Sequence, residues 1–382
     1  MRELKILLIF LMLALSSCHS DERGTNPKSI SSKDRTPLIC TFDLIENSNN
    51  LTSKPNAAIV NWRWQAGQTV KIKFLDGEIA WQEKVKSIAN EWTRYANLKF
   101  EYVNKDEYAD IKIGFLLTGE NNYYGAWSEL GAKVLYMNQD RQTMRLGPLT
   151  ATSETTTRRT ILHEFGHALG LHHETTNPTA NIQWDLPKAY KYYSLQFTKE
   201  ETDLFIINKV NVSNYSEYDP LSIMHYYIPA SITKNGIGVD AQTVLSEIDK
   251  KSINMWYPFP FVSVMESGQS FNDLRWKDRI QSNNKRYSLE FTPGFLRIMD
   301  VVEKKIIWEV GNIRYPRRAI CDFESNGNII LKGAKYTAAT IETIWSSNTS
   351  EFPGATLHLQ DDGDLQLIYN GTVKWSSKNG KI

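Results

Sequence analysis

The segment His163–Glu174 reads HEFGHALGLHHE and constrains the chain more than any other stretch. Before it, residues 155–162 contain neither Pro nor Gly, and apolar residues recur at intervals of three and four, which predicts a half-buried helix. On that helix His163 and His167 lie one turn apart on one face, the spacing at which two imidazoles share a metal ion. Gly170 is expected to end the helix in a left-handed turn, because Gly adopts that conformation at little cost.

A third histidine, His173, follows this turn and can complete a three-histidine site. Three protein ligands leave a fourth position open, which is typical of catalytic rather than structural zinc. Glu164 is rotated by about 100° from the histidine face, so it can reach a zinc-bound water without being a ligand. We therefore predict a Zn²⁺ site at His163, His167 and His173 with Glu164 as general base. The competing interpretation is a polar helix face with solvated histidines.

The extended pattern and a downstream Met-turn, Ser222-Ile223-Met224-His225-Tyr226, resemble the astacin branch of the metzincins. The similarity rests on Glu174 directly after the third histidine and on the Ser-x-Met-His-Tyr form of the turn. It extends over about residues 59–260. The chain departs from animal astacins at Leu171, where Phe is usual, and no cysteine occurs in this region.

The resemblance implies an α+β metzincin fold and a zinc endopeptidase acting on protein or peptide substrates. It implies that Tyr226 ligates zinc at rest and swings to steady the tetrahedral intermediate, a core tyrosine being the alternative. Met224 would form an apolar floor beneath the ligands. An edge strand near Tyr124, Trp127 and Ser128 would line the cleft, where an extended peptide can add antiparallel.

The N-terminus predicts export. Residues 1–17 combine a charged start with an apolar run that is too short to span a bilayer, and they end before Cys18 in the manner of a bacterial lipoprotein signal. Cys18 would carry the lipid and anchor the protein to a membrane or cell surface; an ordinary secretory signal is the alternative. Residues 18–57 are polar and predict a disordered tether, or a pro-segment in which Cys40 caps the zinc.

The last part of the chain, residues 261–382, changes to short strands and Asn-Gly or Asp-Gly turns. Three repeats each end near a tryptophan, and this pattern resembles the bulb-type mannose-binding lectin domain, an all-β three-fold β-prism with tryptophans at its centre. The family's sugar motif, QxDxNxVxY, is kept in part by the third repeat at Gln360, Asp362 and Asp364. The resemblance therefore implies mannose-type glycans as a partner of this module.

Composition removes one class of function and leaves several. With 44 basic and 43 acidic side chains, the chain lacks the charge of a nucleic-acid-binding protein. Three cysteines provide no disulfide framework. We predict a metalloprotease domain at 58–260 followed by a lectin-like targeting module at 261–382. The alternatives are a cell-surface carbohydrate-binding protein with a weakly active or inactive metzincin domain, which the intact Glu164 disfavours, and a zinc hydrolase of peptidoglycan.

Overall fold

The structure is a computed structural model, and it describes residues 62–115, 125–147, 153–211 and 215–382. The predicted signal peptide, the tether with Cys18 and Cys40, and Tyr124 lie outside the described residues. Within the ranges that the structure describes, no helix is both long enough and apolar enough to cross a membrane.

The N-terminal region is built on a twisted sheet of five short strands in the order β2-β1-β3-β5-β4. Strands β1, β2, β3 and β5 are parallel, whereas the edge strand β4 runs antiparallel to β5. The alternating apolar residues of β1 put Val70 and Ile72 at 0% exposure. The strands are β1 Thr69–Phe74, β2 Lys99–Tyr102, β3 Ile111–Gly114, β4 Trp127–Ser128 and β5 Met144–Arg145.

In the part of the chain that the structure describes, five α-helices accompany this sheet, together with 3₁₀ turns and one π-helical segment. The α-helices are α1 Ile79–Ala89, α2 Glu154–Ala168, α3 Leu186–Tyr193, α4 Lys199–Thr202 and α5 Glu247–Trp256. Helix α5 begins at a capping box in which Ser246 and Asp249 satisfy each other's backbone N–H groups.

Two helices differ in extent from what the sequence pattern predicts. The pattern predicts one helix over 79–98, but α1 ends at Ala89, because the N–H of Asn90 bonds to the carbonyls of Lys86 and Ile88 and the chain tightens into a 3₁₀ turn at Trp92–Arg94. A helix over 199–210 is also predicted; after α4 it widens into a π-helix at Asp203–Ile207 and ends there.

The core of this region lies between the sheet and helices α1 and α2. Trp92 is fully buried and its indole N–H donates to the carbonyl of Leu162 at 3.0 Å. The side chain of Trp64 likewise donates to the carbonyl of Ala168 at 2.8 Å. These bonds fix both ends of the second half of α2, the helix that carries the first two predicted zinc ligands.

The C-terminal region is a β-prism of three antiparallel sheets, in the orders β11-β10-β9-β8, β14-β13-β12-β7 and β18-β17-β16-β15-β6. Each sheet has one edge strand from residues 264–281. The first two sheets take three further strands from one sequence repeat, and the third takes four. The strands are β6 Val264–Glu266, β7 Gln269–Ser270, β8 Ile280–Gln281, β9 Tyr287–Thr292, β10 Phe295–Asp300, β11 Lys305–Gly311, β12 Arg317–Phe323, β13 Ile329–Ala334, β14 Glu342–Ser346, β15 Thr356–Leu359, β16 Leu365–Tyr369, β17 Thr372–Ser376 and β18 Gly380–Lys381.

Three tryptophans fill the centre of the prism, which confirms the prediction of a three-fold all-β fold. The ring centroids of Trp308, Trp345 and Trp375 are 5.9 Å apart in every pair, and the rings meet edge to face. Each tryptophan lies on the third strand of its repeat.

The predicted boundary at 260 falls between α5 and β6, and one side-chain bond crosses it, from Nη2 of Arg279 to Oδ1 of Asn254 at 3.2 Å.

Candidate metal centre

Helix α2 holds the first two histidines because its ends are well defined. The hydroxyl oxygen of the N-cap residue Ser153 accepts a bond from the N–H of Thr156. At the other end Gly170 takes a φ of 92°, and the N–H groups of Gly170 and Leu171 bond back to the carbonyls of His167 and Gly166. This left-handed cap turns the chain sharply, as the sequence predicts.

The turn brings His173 beside His163 and His167. Ring nitrogens of the three histidines all lie within 4.8 Å of one another, and the side chains are 2%, 0% and 1% exposed. Nε2 of His167 and Nε2 of His173 are 2.9 Å apart. The predicted ligand set is therefore assembled in one buried cluster.

Hydrogen bonds to backbone carbonyls orient two of the imidazoles. Nδ1 of His163 lies 2.8 Å from the carbonyl oxygen of Ile223, and Nδ1 of His167 lies 2.7 Å from that of Leu171. A carbonyl oxygen only accepts, so the proton of each ring is on Nδ1 and the lone pair is on Nε2. Both Nε2 atoms thus present lone pairs, as metal ligation requires.

The buried cluster fits a zinc ion. Among the described residues, Nε2 of His163 has no hydrogen-bond partner although it is buried. Such an atom costs free energy unless it is satisfied. Burial also lowers the pKa of His167 to about 3, and burial together with the neighbouring His167 lowers the pKa values of His163 and His173 well below the usual value. Three neutral imidazoles converging on one point are a donor set suited to Zn²⁺.

The predicted Met-turn packs directly under this cluster. Met224 is 2% exposed, and a Cβ atom placed on Gly166 of α2 would lie 2.3 Å from its sulfur. Asp249 of α5 fixes the turn, since its carboxylate accepts from the hydroxyl of Ser222 at 2.7 Å and from the N–H of Ile223 at 2.8 Å. The closing helix therefore supports the carbonyl that orients His163.

The predicted base Glu164 and the predicted tyrosine Tyr226 are both buried. Glu164 follows His163 on α2 and is 1% exposed. The hydroxyl of Tyr226, which is 2% exposed, lies 2.8 Å from Nε2 of His173. The structure thus brings together the predicted ligands and the predicted tyrosine, and it buries the predicted base in the same turn of α2.

Sequence reasoning missed a buried network behind Tyr226. Nη2 of Arg159 donates to the carbonyl of His225 at 3.1 Å. The imidazole of His225 in turn bonds to the carbonyl of Tyr226 at 2.7 Å and to the hydroxyl of Tyr218 at 2.8 Å. Arg159 precedes His163 by four residues, so helical spacing alone places it on the histidine face.

Glu174 is also buried next to the third ligand. Its Oε1 accepts from the N–H of Asp219 and from Nδ2 of Asn177, each at 2.9 Å. Burial raises the pKa of Glu174 to about 8. The bond to Asp219, which stands just before the Met-turn, links the two segments on either side of the metal cluster.

The predicted substrate strand is only partly described. Trp127 and Ser128 form β4, and this strand is the outer, antiparallel edge of the sheet, whereas Tyr124 lies outside the described residues. Trp127 packs against the hydrophobic cluster that contains Tyr226. The edge position is the one that addition of an extended peptide requires.

The three predicted sugar-binding residues lie in the loop between β15 and β16. Asp362 forms an ion pair with Lys378, with Oδ2 and Nζ 2.6 Å apart. Asp364 is 4% exposed and accepts from the hydroxyl of Ser377 at 2.8 Å and from Nε2 of Gln366 at 3.0 Å. Gln360 donates its backbone N–H to the carbonyl of Asp364. These carboxylates are thus bonded within the chain.

The fold and the three-histidine centre define a metzincin-type zinc metalloendopeptidase. The family model for astacin (peptidase family M12A) matches residues 58–258, more than half of the chain, and the chain belongs to this family.

Among solved structures, that of myroilysin is 35% identical, with 52% of this chain and 97% of that chain covered and a TM-score of 0.49. High choriolytic enzyme 1, a hatching enzyme zinc-protease from Oryzias latipes (medaka fish), is 16% identical, with coverage of 52% and 94% and a TM-score of 0.36. A monomeric mannose-binding lectin from Gastrodia elata is 18% identical, with coverage of 31% and 99% and a TM-score of 0.24. No curated protein sequence matches significantly.

Proposed function

We propose that this metallopeptidase hydrolyses peptide bonds with Glu164 as general base and Tyr226 as a donor to the developing oxyanion. The observation that carries the proposal is the convergence of three neutral, buried imidazoles, with the equally buried Glu164 directly after His163 on α2. Bound zinc would polarise the scissile carbonyl and lower the pKa of water to about 7. His163, His167 and His173 would hold it through their Nε2 atoms.

The chain's own residues then supply proton transfer and charge stabilisation. Glu164 takes a proton from the attacking water and returns it to the leaving amine. The hydroxyl of Tyr226 rests on the ring of His173, and a small rotation would let it donate to the oxyanion. The edge strand β4 would bind the substrate backbone antiparallel.

Metal removal tests the enzymatic part of the proposal. A chelator should abolish cleavage of an unstructured protein such as casein, and added zinc should restore it. His163→Gln should lose both bound zinc and cleavage. His358→Gln, in the prism, is the matched control and should keep both. If metal analysis shows the protein to be free of zinc and cleavage still persists, the proposal is refuted.

We also propose that the enzyme is exported and anchored to a bacterial membrane or cell surface by lipid on Cys18. The support is the short apolar run from Ile6 to Leu15, which leads into Ser16-Ser17-Cys18. Wild-type protein should fractionate with membranes and yield a lipid-modified N-terminal peptide, whereas Cys18→Ala should remain unprocessed or appear soluble. Wild type found wholly in the medium with no modified peptide would contradict the anchor.

The prism would recruit the protease to glycan-bearing targets, with mannose-type glycans as its ligands. The support is the partial sugar motif at Gln360, Asp362 and Asp364. Because Lys378 holds Asp362, Lys378→Ala should free this carboxylate and strengthen binding to mannan, and Asp362→Ala should abolish it. A glycan array that shows no binding by wild type or Lys378→Ala would leave the module as a spacer.

Recruitment makes a second prediction that separates targeting from catalysis. Removal of residues 261–382 should leave cleavage of short peptides intact and weaken cleavage of a glycosylated substrate, because a second contact raises the effective concentration. Loss of short-peptide cleavage would instead show that the module supports the catalytic fold.

A further inference from the structure

We propose that the second sheet of the prism carries a separate binding site for an anionic sugar residue, a uronate or a sulfated sugar. The site is a surface pocket of about 280 Å³ between the start of β12 and the loop after β13. Arg317, Arg318 and Tyr336 form its walls together with the small residues 337–339, and we call it the arginine pocket. It shares no residue with the loop 360–364, so it does not depend on sugar binding there.

The two guanidinium groups of the arginine pocket are held in place by the backbone. Nη1 of Arg317 donates to the carbonyl of Tyr336 at 2.7 Å, and Nη1 of Arg318 donates to that of Ala339 at 3.4 Å. A guanidinium has five N–H donors, so most remain for a ligand. In the described part of the chain, neither arginine has an ion pair with a carboxylate. Glu342, at the start of β14, is engaged by the hydroxyl of Tyr315 at 3.0 Å.

Arg318 shares a left-handed backbone conformation with its counterpart in the third repeat, but the residue type differs. Arg318 has a φ of 50°, in the left-handed region. It stands three residues before Cys321, which pairs with Leu331; the corresponding position before Leu357 is Gly354, with a φ of 81°. Gly adopts this left-handed conformation at little cost and Arg does not. The second repeat thus carries a guanidinium at a position where the third repeat has no side chain.

The first repeat provides an internal comparison. Arg286 stands three residues before Leu289, which occupies the core position equivalent to Cys321. Its guanidinium is neutralised by the carboxylates of Asp300 and Glu303, each at 2.8 Å. At this position the arginine of the first repeat is therefore balanced by carboxylates, and the third repeat has no arginine. The arginine of the second repeat, in the arginine pocket, has no carboxylate partner among the described residues.

The lining of the pocket indicates the chemical class of the ligand. Two fixed guanidiniums favour a carboxylate or sulfate, which they can bind with paired hydrogen bonds. Tyr336 is 71% exposed and offers an aromatic face to the apolar side of a sugar ring. The small side chains at 338 and 339 leave space between these groups.

Binding of defined probes to the full chain tests the proposal. Calorimetry with oligoalginate and with dextran sulfate should show binding that weakens with salt, and neutral dextran should not bind. Arg318→Gly installs the residue of the third repeat and Arg317→Gln removes the other guanidinium; each should weaken binding about tenfold or more. Lys304→Gly is the matched control, because Lys304 is also exposed and left-handed, at a φ of 54°, and loses the same charge.

Each outcome decides the matter. Loss of binding in both arginine variants, with Lys304→Gly unchanged and all thermal unfolding temperatures preserved, supports the site. Equal binding by wild type and the arginine variants, or no binding of either anionic probe to wild type, overturns it. Inorganic sulfate that competes as well as the sulfated sugar would show a simple anion site and overturn the assignment to sugars.

Discussion

The hydroxyl oxygen of Tyr226 lies 2.8 Å from Nε2 of His173, and the centroids of the two rings are 4.3 Å apart. The phenol therefore reaches the nitrogen through which this histidine faces the other ligands. Tyr226→Phe should keep the fold and the zinc content, because the ring remains packed, and should lower kcat about 10- to 1000-fold. Steady-state kinetics on a peptide substrate measures this. An unchanged kcat would return Tyr226 to a purely structural role.

Arg159 should act through Tyr226 by holding the carbonyl of the preceding residue, His225. Arg159→Met keeps the length of the side chain, and we expect it to lower kcat about tenfold with zinc content unchanged. In the double variant with Tyr226→Phe the two losses should not add, because both remove the same donor. Fully additive losses would show that Arg159 acts independently. Arg158→Met changes the neighbouring residue of α2 and serves as the control. Its effect on kcat should add to that of Tyr226→Phe.

Gly166→Ala should lower the stability of the protein and its affinity for zinc. The added Cβ would meet the sulfur of buried Met224 at 2.3 Å, so either α2 or the Met-turn must shift. Overpacking of this kind costs about 1–3 kcal/mol. Chemical denaturation and zinc titration should both show the loss, and the further change Met224→Ala should relieve part of the added strain. Wild-type stability in Gly166→Ala would contradict the packing described.

The metal-free protein should lose stability as the pH falls below about 6.5, the ordinary pKa of histidine. Burial lowers the pKa of His167 to about 3 in the folded chain and lowers those of His163 and His173 as well. The unfolded chain therefore binds more protons in this window, and each histidine contributes a slope of up to about 1.4 kcal/mol per pH unit. Denaturation between pH 7 and 5 with chelator present measures it. His167→Asn should flatten the slope, and a pH-independent stability would be inconsistent with neutral buried ligands.

The sequence predicts those features that depend on local spacing. The three ligands, Glu164 and the turn at Gly170 all fall within twelve residues. Helical periodicity places His163, Glu164 and His167, and the glycine turn brings back His173. The core tryptophans of the prism are also visible, because repeats leave local patterns.

Features that depend on distant partners are not visible in the sequence. The bond from Arg159 to His225 joins residues 66 positions apart, and the ion pair of Lys378 with Asp362 joins residues 16 apart across a sheet. The end of α1 is another such feature: the helix stops at Ala89, and the 3₁₀ turn that follows contains the fully buried Trp92. Intrinsic propensity could not signal this end, since tertiary contacts override it.

The most direct test of a catalytic zinc centre with Glu164 as its base is to measure bound zinc and peptide cleavage in the same preparation of Glu164→Gln. This change leaves the three histidines in place and removes the proton acceptor. We predict wild-type zinc stoichiometry together with loss of nearly all turnover, at least about 1000-fold. Near-normal cleavage by the zinc-loaded variant would contradict the account.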